Sequence, residues 1–443
     1  MVELIQAVQN LKEKNILVLG DFMCDLYTKG KAHRVSPEAP VVILNVEELQ
    51  RLAGGAGNVV LNLKTLGANV FPCGLIGKDE EGDALKKVFA EKSIPTEWIF
   101  QSDTVSTIVK NRLLADFQQL IRVDFEKKYH LDQKLEDTIL KAILPKIKNF
   151  SVVAISDYQK GFLTLRILKE VIAEARRIGI PVVVDPKGDD FSKYHGATII
   201  KPNSKEAYHA AKLHESAPIQ QVADHLLKMG NAESFIITRS ENGMAYFTAK
   251  EARYFPVRVK EVVDVTGAGD TALAMICFSL ANNFSIDTAI SLANVASSIA
   301  IEKIGCAHVG LEAVTSRLME FNAKDKLVTF FDFESLKEAI STTSYHLYLI
   351  EKLEPHDFTL FETLKKSLKE KNDSFKKIIY LKKIENAPLV LQILAIFQEI
   401  DSIVMDRKVM EEMVKINFPK TFQIVSKDLN TVLYEHEILN SVL

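Results

Sequence analysis

Asp264-Val265-Thr266-Gly267-Ala268-Gly269-Asp270 is the stretch on which the reading of this chain turns. Two glycines and an alanine sit between two carboxylates, and an apolar helical pattern, Thr271-Ala272-Leu273-Ala274-Met275-Ile276, begins at once. Glycine lets successive backbone N–H groups curl into one concavity. At a helix N-terminus, orphan N–H groups and the helix dipole make such a concavity favourable to an anion. A carboxylate beside a site built for negative charge makes little sense as packing. It makes sense as a base that takes a proton from a hydroxyl while the N–H groups hold a phosphoryl group in transfer. Spacing alone leaves a second reading open, in which Asp270 is an ordinary first-turn acid at a glycine-rich helix start.

The chain around this stretch has 443 residues, enough for two or three domains. Hydrophobic residues make up 47% and charged residues 26%, the balance of an ordinary globular protein. A net charge of -3, from 55 basic and 58 acidic residues, gives no reason to expect nucleic acid or an anionic membrane as a partner. Cys24, Cys73, Cys277 and Cys306 are far apart, with no CxxC pair, so neither a zinc site nor a disulfide framework is indicated. The first fifteen residues lack a signal-peptide core, and no apolar run reaches the roughly 18 residues that span a bilayer. These features predict a soluble, cytoplasmic protein with reduced thiols.

All 19 glycines lie at or before Gly310. That shift in composition predicts a boundary near Asn322 to Lys326, with one domain over 1–320 and a smaller α/β domain over 326–443. In the first part, short apolar strands alternate with helical segments. Ile16 to Asp21, Val152 to Asp157, Pro181 to Asp185, Thr198 to Asn203 and Ser234 to Arg239 read as strands, and Asn58 to Leu66 and Leu163 to Ile178 as helices. This rhythm predicts a doubly wound parallel sheet covered on both faces. Ligands of such sheets sit beyond the carboxyl ends of the strands, which brings Asp21, Asp157, Asp185, Asn203 and Arg239 toward one crevice. Val41 to Leu49 and Ser106 to Asp124 break the rhythm and read as a small extra β sheet, a lid whose exposed face would serve as a dimer contact.

Three further groupings carry chemistry. Gly54-Gly55-Ala56-Gly57-Asn58 precedes a helix; small residues admit a ligand close to the backbone, and Asn58 can donate to and accept from sugar hydroxyls. A flexible loop with an Asn cap fits the same residues. Asn203-Ser204-Lys205-Glu206 places an Asn and a Glu on one helical face, oxygen donors suited to Mg²⁺ held mainly through water and nucleotide phosphates, and equally a capping box. Asp157-Tyr158-Gln159-Lys160-Gly161 and Asp185-Pro186-Lys187-Gly188 each put a Lys just after a strand end, where it can meet phosphate.

Together these segments resemble the ribokinase-like (PfkB) sugar kinases over about residues 11 to 318. The Gly54-Gly55 region with Asn58 and the stretch from Asp264 to Asp270 match the two family signatures in order and separation. Four longer segments, Arg34 to Val41, Gln118 to Glu126, Ser156 to Gly161 and Asp185 to Gly188, look like kinases of D-glycero-D-manno-heptose 7-phosphate, which act on the route to ADP-heptose for bacterial lipopolysaccharide.

The resemblance implies a ribokinase-like fold and a set of roles. Asp270 would deprotonate the anomeric C1 hydroxyl, and the N–H groups of Gly267, Ala268 and Gly269 would form the anion hole. Asp21, Gly54, Gly55 and Asn58 would hold the sugar, and Arg34, Arg122, Lys160 and Lys187 are candidates for its 7-phosphate. Asn203, Ser204, Lys205, Glu206, Arg239 and Asn294 would face the nucleotide, with Asn203 and Glu206 organising Mg²⁺. Asp264 would position its loop or a monovalent cation such as K⁺. ATP, a sugar phosphate and a second copy of the chain are the implied partners. Another sugar specificity, or a sugar-binding scaffold without turnover, is the alternative.

In bifunctional relatives of this kind a nucleotidyltransferase domain follows, with an HxGH-type motif after its first strand. Here Leu327 to Phe333 fits such a strand, but Glu334-Ser335-Leu336-Lys337-Glu338 follows; His346 and His356 stand ten apart without flanking glycine. Lys377 to Leu381, Ser402 to Met405 and Phe422 to Val425 still predict strands. The expectation is an inactive relative of that domain or an unrelated module, against the alternative of a working bifunctional kinase–adenylyltransferase.

Overall fold

The computed structural model describes residues 2–433 apart from 117, 231, 260, 304, 329–335, 338–339, 342–343, 356, 371–374, 385, 398, 418 and 426–429. The chain divides into two units, Ala7–Val314, and Thr315–Leu443 with Met1–Gln6. In the first unit the strands are β1 (Asn15–Gly20), β2 (Phe22–Val35), β3 (Val42–Gly55), β4 (Asn69–Gly77), β5 (Ile99–Ser102), β6 (Ile108–Ala115), β7 (Gln118–Phe125), β8 (Val152–Ser156), β9 (Val182–Asp185), β10 (Ala197–Ile200), β11 (Ala232–Thr238), β12 (Met244–Thr248) and β13 (Ala252–Phe255).

Nine of them form one sheet in the order β13-β12-β11-β10-β9-β8-β1-β4-β5. All neighbours are parallel except the β11–β12 and β12–β13 pairs. Leu17 and Leu19 of β1 point into a core with Val153 and Ile155 of β8 and the apolar faces of helices at 133–143, 165–177, 204–211 and 219–228. Helix 165–177 shows why: Ile167, Leu168, Val171, Ile172 and Ala175 recur at helical spacing and are buried, and Thr164 caps its start by accepting from the Ile167 N–H. Ile16 and Val18 are buried on the opposite face, which carries helices 56–65, 268–281 and 286–300. Successive strands run from β1 toward β5 on one side and from β8 toward β11 on the other. The order therefore reverses between β1 and β8, and the crevice of a doubly wound sheet opens there, beside Asp21 and Asp157.

A separate four-stranded sheet, β3-β2-β6-β7, supplies the lid. It is larger than the sequence pattern suggested, because β2 continues from Phe22 directly after the crevice residue Asp21. Its exposed apolar residues include Val35, Val42, Val46, Leu49, Ile121 and Phe125.

The second unit contains β14 (Leu327–Val328), β15 (Tyr345–Leu353), β16 (Lys376–Ile384), β17 (Ser402–Val404), β18 (Thr421–Val425) and β19 (Asn430–Leu433), in the order β14-β17-β16-β15-β18-β19. Every pair is parallel except β18–β19. Leu327–Val328 therefore lies at an edge, and the central place belongs to β15. The remainder of the expected strand to Phe333, and His356, fall outside the described residues. His346 is buried in β15, 2.7 Å through Nδ1 from Thr421 Oγ1.

Candidate active site

Helix 268–281 begins at the quoted stretch. Gly267 caps it with φ 80°, a left-handed conformation in which a side chain is strained, and a Cβ there would lie 2.8 Å from the Asn58 amide nitrogen. The Ala268 N–H turns back to Val265 O at 3.3 Å, and the Thr271 N–H opens the helical ladder on Gly267 O at 2.9 Å. Of the three amides expected in the anion hole, Ala268 thus already has a backbone acceptor. Asp264 ties the turn down: it accepts from Thr266 N and Oγ1 at 2.9 and 2.6 Å and from Gly305 N at 2.9 Å. These donors hold its carboxyl below the usual range, although partial burial pushes the other way.

Asp270 is 5% exposed. Its Oδ2 accepts from Asn58 Nδ2 at 2.8 Å and its Oδ1 from the Tyr158 hydroxyl at 3.0 Å. Burial pushes its pKa up to about 7, helped by the charge of Asp185 and opposed by the Asn58 and Tyr158 hydrogen bonds and by Lys201. Asp21 is buried as well, and its carboxylate accepts the N–H groups of Tyr158, Lys160 and Phe162 at 2.9, 3.1 and 3.3 Å. Burial and the neighbouring Asp157 raise it to about 6 against those three donors. Both oxygens of Asp21 thus serve the 158–162 loop.

Two cavities meet at Thr238 and Gly269. The smaller, about 210 Å³, is polar and lined by Asp270, Gly267, Tyr158, Asp157, Asp185, Lys187, Lys201, Asn203 and Glu206. The larger, about 360 Å³, has apolar walls from Met244, Val257, Val259, Val262, Val265, Ala272 and Ile301, with Asn294, Ser297 and Ser298 among its polar residues. An apolar slot beside a polar cavity at a helix N-terminus is a shape for a planar base followed by phosphates.

Asn203 and Glu206 form a capping box: Asn203 Oδ1 accepts from Glu206 N at 2.9 Å and Glu206 Oε2 from Asn203 N at 3.0 Å. Both still line the polar cavity, so capping leaves them able to meet a ligand there. Among the described residues no three His, Cys, Asp or Glu side chains converge as a metal cage. The oxygen donors of Asn203, Asp185 and Glu206 at the cavity wall instead fit an ion such as Mg²⁺, which keeps most of its water and phosphate ligands.

Other expected residues are spread more widely. Asn294 donates to Phe255 O at 2.9 Å and lines the apolar cavity. Arg239 lies over the Tyr254 ring, 5.4 Å from its centroid. Ser204 donates to Thr238 O at 3.2 Å, and Lys205 is exposed; neither is in the lining of these two cavities. Gly54 and Gly55 end β3, and a Cβ on Gly54 would meet Asp25 Oδ2 at 2.1 Å. Arg122 pairs with Asp124, Lys160 with Glu126 and Lys187 with Glu206, at 2.8, 2.7 and 2.8 Å. Arg34, on the exposed end of β2, is in no ion pair among the described residues.

Three site residues were not singled out from the sequence. Asp25, 4% exposed in β2, pairs with Arg112 and is approached by Cys306 Sγ at 3.8 Å. Lys201 is 2% exposed and pairs with Asp185 at 3.0 Å. Tyr158 donates its hydroxyl to Asp270. Asp25 gave no signal in the sequence, because the strand that holds it is not legible from the apolar pattern; Lys201 and Tyr158 gave none beyond their places after strand ends.

The profile described as "pfkB family carbohydrate kinase" matches residues 13–313. The chain belongs to that family. The bifunctional protein HldE of Geotalea uraniireducens is 42% identical over 302 residues, 67% of this chain and 61% of that protein. HldE of Campylobacter jejuni is 40% identical over 318 residues, 71% of this chain and 67% of its own length. The match spans 61–63% of the length of the three HldE proteins from Geotalea uraniireducens, Pelobacter propionicus and Trichlorobacter lovleyi. Arabidopsis thaliana ribokinase, solved with ribose and ATP, superposes with a TM-score of 0.55 at 17% identity, over 69% of this chain and 99% of that one. The inhibited tetrameric phosphofructokinase-2 of Escherichia coli gives 0.56 at 19%, with 69% and 99% covered. These likenesses establish the ribokinase-like α/β fold, with a further C-terminal unit.

Proposed function

We propose that this protein is an ATP-dependent kinase that phosphorylates the anomeric C1 hydroxyl of D-glycero-β-D-manno-heptose 7-phosphate, giving the 1,7-bisphosphate on the way to ADP-heptose. The observation that carries the reading is Asp270, buried at the foot of the Gly267–Gly269 turn and on the wall of the polar cavity. The heptose-kinase-like segments and the HldE relatives support the choice of sugar.

In this reading Asp270 takes the proton of the C1 hydroxyl. The oxygen attacks the γ-phosphorus; the new O–P bond forms as the bond to the β,γ-bridging oxygen breaks, and ADP leaves. Backbone N–H groups of the helix start and the Lys201 ammonium stabilise the charge on the transferring group. Mg²⁺, when bound, would neutralise phosphate charge, with Asn203 and Glu206 as its protein-side donors. Lys160, Lys187 and Arg122 would exchange carboxylate partners for the 7-phosphate, and Arg34, in no ion pair among the described residues, would offer it a guanidinium. The apolar outer face of the lid supports a homodimer, to be tested by sedimentation.

Release of ADP is the assay, with heptose 7-phosphate set against ribose, fructose 6-phosphate and other free and phosphorylated sugars. Turnover confined to heptose 7-phosphate is the expected result. Turnover with another sugar alone overturns the substrate, and sugar binding in calorimetry without turnover of any sugar overturns the kinase.

A further inference from the structure

The Tyr158 hydroxyl is the group the resemblance does not account for. Asp270 lies between two neutral donors carried by different parts of the chain. Asn58, on helix 56–65, holds Oδ2, and Tyr158, just past β8, holds Oδ1. Neither donor is free to swing. The Asn58 side-chain oxygen accepts from Asn62 Nδ2 at 3.2 Å, while Asn62 Oδ1 accepts from Thr271 Oγ1 and Val309 N, both at 3.3 Å. That chain fixes which end of the Asn58 amide faces the carboxylate. Tyr158 is held by its own backbone, whose N–H donates to Asp21 at 2.9 Å. Burial and the adjacent Asp270 keep its phenol protonated, so toward an ionised Asp270 it acts as a donor. A carboxylate accepts about four hydrogen bonds, so two fixed donors leave room for the acceptor hydroxyl.

We propose that Tyr158 is a positioning residue for phosphoryl transfer: its hydroxyl, opposed to the Asn58 amide, fixes the plane of the Asp270 carboxylate and keeps it ionised for proton abstraction. The inference rests on Asp270 being the base. It also assigns Asp21 a task, since that carboxylate gathers the loop from which Tyr158 projects. Other groups set the baseline that Tyr158 adjusts. Asp185 at the end of β9 disfavours a charged Asp270, Lys201 beyond β10 favours it, and the Cys306 thiol is kept neutral by burial.

The test is the pH dependence of kcat/KM in Tyr158→Phe, which keeps the ring and removes only the donor. Loss of a donor to the charged form raises the pKa of Asp270. The acid limb is expected to move up by about one pH unit, with kcat at pH 7 down roughly 10- to 100-fold and the KM values within about threefold. Partial recovery at pH 9 is part of the expectation. An unmoved limb overturns the proposal, whatever happens to the melting temperature. Should Tyr158→Phe fail to fold, 3-fluorotyrosine at position 158 is a stronger donor of nearly the same size and is expected to move the limb down; no movement overturns the proposal. The assays use heptose 7-phosphate, or the sugar of the panel that turns over if that one does not. Asp270→Asn is run beside them. If it retains turnover, the base reading itself is wrong; if it is dead while the Tyr158→Phe profile is unmoved, only the role of Tyr158 is wrong.

Discussion

At the scale of the residue, the molecule carries a carboxylate where a carboxylate is costly. Folding brings Asp270 from an ordinary pKa of 3.8 to about 7, so protonation favours the fold. The sign follows: this group's contribution to stability is full below about pH 4 and is lost as pH rises through 7. Asp270→Asn removes the buried charge and keeps the shape, with the new amide able to accept from Asn58 and donate to the Tyr158 oxygen. It is expected to melt higher than the parent at pH 8, by a margin that closes toward pH 4, when thermal unfolding is followed without ligand. Activity goes the other way, with kcat down by roughly two to four orders of magnitude as base and charge are lost together. The parent itself is expected to show an acid limb in kcat/KM with an apparent pKa near 7; full activity at pH 5 would remove Asp270 as the base. Asp270 and Asn58 are legible in the sequence because each lies in a short glycine-rich signature. Their contact is not, since 212 positions separate them, and the Tyr158 contact spans 112.

At the scale of the element, glycine spacing told more than propensity. The helices after Gly55 and Gly267, and the strands β1, β8, β9, β10 and β11, stand where apolar runs and small residues put them. β4 was hidden because Pro72 and Gly74 interrupt it, and proline and glycine argue against a strand interior. β2 was hidden because its apolar alternation is broken by Asp25, Lys29 and Lys31. The two glycines of the signature make separable predictions. At Gly267 a side chain meets both the left-handed backbone, a strain of about 1–2 kcal/mol, and the Asn58 amide at 2.8 Å. Gly267→Ala is expected to lower the melting temperature and kcat together, through displacement of Asn58 from the base. A Cβ at Gly269 has Asp185 Oδ2 and Lys201 Nζ as its nearest neighbours, at 3.7 and 3.8 Å, which is ordinary contact. Gly269→Ala is expected to fold as the parent does and to raise the KM for ATP, because the new methyl stands where the two cavities meet. Equal losses of stability in the two variants would contradict this division.

At the scale of the whole molecule, two units with separate apolar cores share one chain. Five strands of the second, in the order β17-β16-β15-β18-β19, reverse direction of progression beside β15, and a ligand of such a sheet belongs at the carboxyl ends of β15 and β18. The α/β character of this unit was legible from its apolar runs. Which strand holds the centre was not, because strand order depends on pairings between segments far apart in the chain. A triphosphate needs close backbone approach, and no glycine lies beyond Gly310 to permit it; β15 is followed by Glu354-Pro355-His356-Asp357 rather than by paired histidines with glycine. The second unit is therefore expected not to transfer an adenylyl group. Incubation of the full chain with heptose 1-phosphate, ATP and Mg²⁺ should release no pyrophosphate above the rate without sugar. The Asp270→Asn variant isolates the question, since it silences the first unit's chemistry and leaves the second intact. Pyrophosphate release that persists in that variant and depends on heptose 1-phosphate would establish a second active site built without the glycine-rich turn, and would make this chain bifunctional.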